Sequence, residues 1–218
     1  MHALVVGSTG LIGKILVQKL LESPAYESVR VIVRRKSFDS HPKLHEVLVD
    51  FENLTDCLCK ADHVFCTLGT TRNKAGSKEA FRLVDYQYPL EIAQKAFDQG
   101  GQLFAIVTSM GASLDSWFFY NQVKGEVERD LAQIPFQHLG IFRPSMLLGD
   151  RTENRFGESI GQRVMEVADF LLPQKYKAIE AEKVAKALLQ YALNPPMGVT
   201  IYESDAMQLQ SLDAPLGN

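Results

Sequence analysis

Short, nearly continuous apolar runs alternate along the chain with longer segments in which apolar residues recur every three or four positions. The short runs are rich in Val, Ile, Leu and Phe, which is typical of strands in a parallel sheet covered on both faces. They predict strands over residues 2–6, 29–33, 45–49, 61–68, 102–108, 136–142 and 198–203. Strands and helices that alternate in this way predict an α/β fold, a doubly wound parallel sheet with right-handed crossovers and helices on both faces.

The longer segments have the spacing of amphipathic helices. Between Leu11 and Leu20 the apolar residues repeat at helical spacing, and this helix continues to about Glu22. Further helices are predicted over 86–98, 118–131 and 181–193. The pattern is less regular after residue 150, so we treat the chain as one domain, 1–218, in which residues 150–218 contribute a small C-terminal appendage on the substrate side.

Composition and charge narrow the class of protein. Of the 218 residues, 46% are hydrophobic and 22% are charged, as in ordinary soluble globular proteins. A net charge of -3 without a run of like charge excludes the basic surface of a nucleic-acid-binding protein. The apolar run before Gly7 is too short for a signal peptide or a membrane span. We therefore expect a cytoplasmic protein with a small-molecule substrate and without nucleic-acid or membrane partners.

The cysteines do not indicate a disulfide framework or a metal site. Cys57, Cys59 and Cys66 are few and clustered, and no histidine pair at ligand spacing accompanies them. The sequence therefore indicates reduced thiols in a cytosolic protein.

The first predicted strand leads directly into GSTGLIG, in which three glycines recur at three-residue spacing before a helix. Glycines at this position permit a tight turn, close approach of the backbone to a pyrophosphate, and close packing of helix on strand. The helix N-terminus adds free N–H groups and a positive dipole for the phosphates. The pattern predicts a Rossmann-type dinucleotide site. Its turn consists of Gly7, Ser8, Thr9, Gly10, Leu11, Ile12 and Gly13.

The end of the second strand favours NADP over NAD. NAD sites place an Asp or Glu about 20 residues beyond the glycines, where it binds the ribose 2′-hydroxyl. Here Arg34 lies 21 residues after Gly13, with Arg35 beside it and no acid at that place. A guanidinium can bind a 2′-phosphate through two hydrogen bonds. A solvated basic loop explains the same residues, so NAD remains the alternative cofactor.

Two more strand ends are candidates for the cofactor site. Asp50 follows the third strand and is predicted to contact the adenine amino group. Leu68, Gly69 and Thr70 follow the fourth strand and are predicted to pass beside the adenosine. Both places lie at the carboxyl ends of strands, where open α/β sheets bind ligands.

The segment FFYNQVKGEVERDL contains Tyr120 and Lys124, which are four residues apart. On a helix this spacing places both side chains on one face. Tyr120 is the only one of the 7 tyrosines with a lysine four positions later. So short a pattern also arises by chance, and its meaning depends on the motifs around it.

Four motifs occur in a fixed order: GSTGLIG, VTSMGA after the fifth strand, YNQVK on the next helix, and FRPSMLLG after the sixth strand. In order and spacing they resemble an atypical, epimerase-like short-chain dehydrogenase/reductase. CTLGTTRNKAG and RLVDYQYPLEIAQKA resemble more closely the Tat-interacting-protein oxidoreductase subgroup. The resemblance covers nearly the whole chain. It implies a Rossmann fold and hydride transfer between NADP and a small carbonyl or alcohol.

The resemblance also implies roles for individual residues. Tyr120 would be the general acid/base, Lys124 its partner and a ligand of the nicotinamide ribose, and Ser109 the hydroxyl that bonds the substrate oxygen. Arg143 and Pro144 would border the nicotinamide. The chemistry agrees, because an ammonium near a phenol favours the phenolate that proton exchange requires. The family's Tyr/Lys helix often forms a subunit interface, so the resemblance implies a homodimer.

Two departures leave alternatives open. Ser109 lies 11 residues before Tyr120, a tighter spacing than in the wider family, so Ser113 is an alternative for the hydroxyl role. Asp85 lies near the place where many relatives carry an asparagine, which leaves the proton relay open. Two hypotheses follow: an NADP-dependent oxidoreductase, or an NADPH-bound regulatory or interaction protein with little or no turnover.

Overall fold

The computed structural model describes residues 1–49, 60–148 and 173–209. The strands in these ranges are β1 (His2–Val6), β2 (Ser28–Val33), β3 (Leu44–Leu48), β4 (His63–Cys66), β5 (Leu103–Val107), β6 (His138–Arg143), β7 (Leu147–Leu148), β8 (Ile179–Glu180) and β9 (Gly198–Glu203). Within the described residues, seven strands form one sheet in the order β3-β2-β1-β4-β5-β6-β9, and all its neighbours are parallel. The order of its first six strands is that of a Rossmann fold. The predicted doubly wound α/β sheet is confirmed.

The helices are α1 (Leu11–Glu22), α2 (Arg72–Ala75), α3 (Lys78–Arg82), α4 (Tyr88–Asp98), α5 (Phe119–Leu131), α6 (Ala181–Leu193) and α7 (Ser204–Leu209). A π-helical turn, Leu83–Gln87, joins α3 to α4. The sequence predicted a helix only over residues 86–98, whereas the helical segment of the structure begins at Lys78. It begins earlier because Ser77 caps α3, with its hydroxyl oxygen accepting the Ala80 N–H at 3.0 Å.

Helices cover both faces of the sheet. Along β1, Ala3 and Val5 pack in one core with α1 and α6, whereas Leu4 and Val6 pack in a second core with α4 and α5. All four side chains are at most 1% exposed. Full burial of a Val or Leu side chain contributes about 1.5–3 kcal/mol. Burial on both faces therefore explains why the strands are apolar at nearly every position.

Part of the segment predicted as an appendage belongs to the main sheet. α6 shares a core with α1, and β9 pairs with β6 from His138 opposite Gly198 to Arg143 opposite Glu203. β7 and β8 form a separate parallel pair that the sequence did not predict, because two residues carry no periodicity. Residues 149–172 and 210–218 lie outside the described residues, so the substrate-side role of 150–218 stays a prediction.

Burial explains the chemistry of the one cysteine that the described ranges contain. Cys66 ends β4, is fully buried and is free, and burial raises the pKa of its thiol to about 11. Such a thiol is unreactive at neutral pH. Cys57 and Cys59 lie outside the described residues. In the described part of the chain, no helix has the length and hydropathy needed to cross a bilayer.

A buried histidine predicts pH-dependent stability. His63 is 6% exposed, and its Nδ1 lies 2.9 Å from the Tyr26 hydroxyl oxygen. Burial lowers the pKa of His63 from 6.5 to about 4, and Asp62 only partly offsets this effect. Between these two values the unfolded chain binds a proton that the folded protein does not, so stability is lost as the pH falls. We expect urea denaturation to show a loss of about 2 kcal/mol between about pH 7 and pH 4.5 from this residue, with allowance for its partial solvation.

Two variants isolate this contribution. His63→Gln removes the titrating ring, so its free energy of unfolding is expected to vary less with pH than that of the wild type. His45→Gln alters an exposed histidine and is expected to keep the wild-type dependence. The same pH dependence in both variants would show that His63 is not its origin.

Candidate active site

The glycine turn and the loop after β4 meet where the strand order reverses, between β1 and β4. Open α/β sheets bind ligands at this place. Gly7 has a φ of +81°, and a Cβ there would lie 2.6 Å from the Thr67 carbonyl atoms. A Cβ on Gly13 would lie 2.3 Å from the Gly7 carbonyl oxygen. Both glycines are therefore required for the turn to pack against α1 and β4.

The turn exposes backbone at the N-terminus of α1. Thr9 and Gly10 are exposed and Leu11 is half-buried, whereas Ser8 and Ile12 are buried. The N–H groups in the first turn of a helix have no partner within the helix. The outer part of the predicted phosphate turn is thus open to a ligand, and the inner part packs in the protein.

The two arginines at the end of β2 lie one strand away from the turn. Arg34 and Arg35 directly follow β2, which pairs with β1, and both are exposed. The loop beyond them is fixed by Glu46 of β3, whose Oε1 accepts the Ser37 N–H at 2.8 Å and the Phe38 N–H at 3.2 Å. The contact of Arg34 and Arg35 with a 2′-phosphate stays a prediction. Asp50, predicted to contact adenine, lies outside the described residues.

Tyr120 and Lys124 lie one turn apart on α5, in different environments. The Tyr120 side chain is 38% exposed, and its ring lies 5.5 Å from the ring of the buried Phe81, between centroids. Phe119 contacts the same Phe81 ring at 5.7 Å. Lys124 is 2% exposed. The Tyr120 phenol is thus held at the surface by aromatic packing, one helical turn from the buried Lys124 ammonium.

The Lys124 ammonium forms an ion pair with Asp85, and its Nζ lies 2.8 Å from Oδ1. Burial opposes the charge on Lys124, but the Asp85 carboxylate and, to a lesser degree, the Tyr120 side chain outweigh it, so the pKa of Lys124 is raised. The lysine is therefore charged at every physiological pH. Asp85, whose role the sequence left open, contacts Lys124 directly and comes from the π-helical turn.

The loop after β5 places Ser109 beside the end of β6. The Met110 N–H donates to the Pro144 carbonyl at 2.9 Å. The Ser109 hydroxyl oxygen is buried and has no hydrogen-bond partner among the described residues. The loop continues over α5 at Gly125, where a Cβ would lie 2.4 Å from the Ser113 carbonyl carbon. A buried hydroxyl without a partner is costly, which fits a group that binds a ligand.

The side chains of Ser113 and Arg143 bind other groups of the protein. Ser113 is exposed, and its hydroxyl oxygen accepts the Asp115 N–H at 3.3 Å within the turn. The Arg143 guanidinium is directed to two carboxylates, with Nε 3.1 Å from Glu128 Oε1 and Nη1 3.1 Å from Glu203 Oε1. Arg143 thus joins β6 to α5 and β9 through its side chain. Its main chain and that of Pro144 remain the parts that could border a nicotinamide.

Known proteins resemble this chain in sequence. The HIM1 family model matches residues 32–177. Protein HTATIP2 of Rattus norvegicus is 34% identical over 200 residues, which cover 89% of this chain and 82% of the rat protein. A protein of Candida albicans named FMP52, mitochondrial, is 32% identical over 201 residues, which cover 88% of this chain and 88% of that protein. The resemblance to the Tat-interacting-protein subgroup is confirmed.

Solved structures of the epimerase type share the fold. MoeE5 in complex with UDP-glucuronic acid and NAD has a TM-score of 0.70 at 18% identity, covering 92% of this chain and 75% of that chain. The human epimerase family protein SDR39U1 with NADPH has a TM-score of 0.61 at 18% identity, covering 93% of this chain and 74% of that chain. At these identities the likeness concerns the fold.

The relatives correct one prediction and establish the family. The predicted cytoplasmic location is wrong, because relatives from Candida albicans, Eremothecium gossypii and Saccharomyces cerevisiae are named as mitochondrial proteins. That prediction rested on the short apolar run before Gly7 and on the few, clustered cysteines, and neither feature identifies a compartment. The family model and the rat relative both cover most of the sequence, and the chain therefore belongs to the HIM1 family.

Proposed function

We propose that the protein is an NADP-dependent oxidoreductase that acts on a small carbonyl or alcohol, with Tyr120 as the general acid/base. The observation that carries the proposal is the charged, buried Lys124 one helical turn from a Tyr120 side chain that is 38% exposed. A tyrosine in this position can exchange protons with a ligand while its neighbouring ammonium favours the phenolate. The unpaired Ser109 hydroxyl adds a hydrogen-bond donor at the same edge of the sheet.

Each group of residues would have a separate task. The exposed turn at Thr9 and Gly10 would hold the pyrophosphate, and Arg34 with Arg35 the 2′-phosphate. A bound nicotinamide cofactor would supply or accept the hydride. Tyr120 would give a proton to the substrate oxygen in reduction and take one in oxidation. Solved neighbours that contain NAD or NADPH support a nicotinamide cofactor without choosing between the two.

Cofactor preference is tested by thermal stabilisation. At equal concentration, NADPH is expected to raise the melting temperature more than NADH, because only NADPH carries the phosphate that Arg34 and Arg35 would bind. In Arg34→Ser/Arg35→Ser the advantage of NADPH over NADH in affinity is expected to fall about tenfold or more. A calorimetric titration of both cofactors measures the ratio.

Arg129→Ser is the matched control. The Arg129 guanidinium is exposed and paired with Asp130 on α5. The variant therefore removes one surface charge at a place away from β2. It is expected to leave the NADPH to NADH ratio unchanged. Greater stabilisation of the wild type by NADH than by NADPH would refute the assignment of Arg34 and Arg35.

An NADPH-bound regulatory or interaction protein is the second candidate function. Trp117 and Phe118, just before the Tyr120 helix, are 101% and 74% exposed, and exposed aromatic side chains are common at interaction sites. Tight NADPH binding without oxidation of NADPH by a broad panel of aldehydes and ketones would favour this candidate. The homodimer that the resemblance implies is a proposal for the same surface, which a molar-mass measurement in solution tests.

A further inference from the structure

The helical segment that faces Lys124 is not α-helical over its whole length. Between α3 and α4 the turn Leu83–Gln87 is π-helical, and Asp85 lies at its centre. Turns of this type are rare and occur frequently at functional sites. Asp85 is 1% exposed, and the described contacts of its carboxylate are with α5 and with the loop after β4.

The two oxygens of the Asp85 carboxylate have different neighbours: Oδ1 forms the ion pair with Lys124, and Oδ2 accepts the Thr70 N–H. Lys124 Nζ lies 2.8 Å from Oδ1, and the Thr70 backbone nitrogen lies 3.0 Å from Oδ2. The side chains of Lys124 and Asp85 are 3% and 0% exposed. A buried ion pair adds little net stability compared with apolar residues of the same volume. The pair is therefore better explained by the placement of a charge than by stability.

The ion pair restricts the direction of the lysine. An ammonium has three N–H groups, and the ion pair holds this ammonium 2.8 Å from Asp85 Oδ1. Because the carboxylate is itself held by the Thr70 N–H, its position does not depend on the lysine alone. Resting on the function proposed above, we propose that Asp85 is a positioning residue, which holds the Lys124 ammonium so that its N–H groups are directed toward the nicotinamide ribose of the bound cofactor.

An asparagine could not replace the aspartate fully. Its side chain has one acceptor oxygen and an NH₂ group that only donates. Lys124 and the Thr70 N–H are both donors, so Asp85→Asn would set its own NH₂ against one of them. Asparagine is nearly the same size as aspartate. The Asp85→Asn variant nevertheless loses either the contact with Lys124 or the contact with the Thr70 N–H.

The test measures the affinity of the full chain for two probes by calorimetry. NADPH contains the nicotinamide ribose, whereas adenosine 2′,5′-bisphosphate contains only the adenosine half. Asp85→Asn is expected to weaken NADPH binding about tenfold and to leave the bisphosphate within about twofold. Lys124→Met is expected to do the same, and the double variant to bind NADPH no more weakly than Lys124→Met, because Asp85 acts through the lysine.

Two further variants separate position from charge and from folding. Asp85→Glu keeps the negative charge but moves the carboxylate by one methylene, so a loss of NADPH affinity in this variant supports positioning. The Arg82–Glu126 ion pair joins α3 to α5 at 2.6 Å and is a second ion pair between this helical segment and α5. Glu126→Gln removes one of its partners and is expected to bind both probes as the wild type does.

Four results would overturn the inference. Equal weakening of both probes in Asp85→Asn would mean that Asp85 only holds the loop Leu68–Thr70. Additive losses in the double variant would mean that it acts independently of Lys124. Wild-type affinity of Asp85→Asn or of Asp85→Glu for NADPH would mean that the carboxylate's position is unimportant. A wild-type protein that does not bind NADPH would refute the proposed function itself, which the other three outcomes leave standing.

Discussion

Replacement of Tyr120 by phenylalanine is expected to lower turnover by about 10²–10⁴-fold, the usual contribution of a general acid/base. NADPH affinity is expected to stay nearly unchanged. Phenylalanine keeps the ring that packs against Phe81 at 5.5 Å and removes only the hydroxyl that would exchange the proton. The rate is followed as the loss of NADPH absorbance with a panel of small aldehydes and ketones, and the affinity by calorimetry.

Tyr86→Phe is the matched control for this experiment. The Tyr86 hydroxyl donates to Asp130 Oδ2 at 2.8 Å, so this variant also removes one phenolic hydroxyl that faces α5. It is expected to keep wild-type turnover, with a small loss of stability from the broken hydrogen bond. An equally active Tyr120→Phe would end the catalytic assignment. Loss of NADPH binding in Tyr120→Phe would instead indicate that the hydroxyl contributes to cofactor binding.

The sheet could be predicted because its strands are visible in the sequence as short apolar runs. β1 is buried on both faces, which requires apolar residues at every position from Ala3 to Val6, and a continuous apolar run is visible without any knowledge of the partners. The bounds predicted for residues 181–193 and 198–203 agree with α6 and β9. The glycine turn could be predicted for the same reason, since its spacing reflects contacts within Gly7–Gly13 and with the adjacent β4.

The contacts inside the site depend on residues far apart in the sequence. No local pattern indicates that Asp85 reaches Lys124, because the contact requires a π-helical turn on one helix and the packing of another helix against it. The direction of the Arg143 side chain likewise depends on Glu128 and Glu203, which come from α5 and β9. Sequence reasoning therefore predicted Tyr120 and Lys124 as candidate residues but not the contacts that hold Lys124 and Arg143 in place.

Replacement of Gly13, the third glycine of the turn, is expected to destabilise the protein strongly. In Gly13→Ala the new Cβ would lie 2.3 Å from the Gly7 carbonyl oxygen and 2.8 Å from the Ser8 Cα. Both are backbone atoms that no side-chain rotation can move, so α1 must shift away from the turn. We expect a loss of about 3 kcal/mol in the free energy of unfolding, at the upper end of overpacking effects, and a melting temperature lower by about 10 °C.

Gly10→Ala shows whether this loss comes from the contact or from glycine in general. Gly10 has a φ of -74°, which any residue adopts, and its Cβ would lie 3.2 Å from the Gly7 carbonyl oxygen. Its expected loss of stability, measured by urea denaturation without cofactor, is below about 1 kcal/mol. Because Gly10 is exposed at the helix N-terminus, its new methyl group would instead obstruct the pyrophosphate, and NADPH affinity should fall while stability is kept. Equal losses of stability in the two variants would contradict the packing of α1 on the turn, since a Cβ on Gly10 would lie 3.2 Å from the Gly7 carbonyl oxygen, whereas one on Gly13 would lie only 2.3 Å from it.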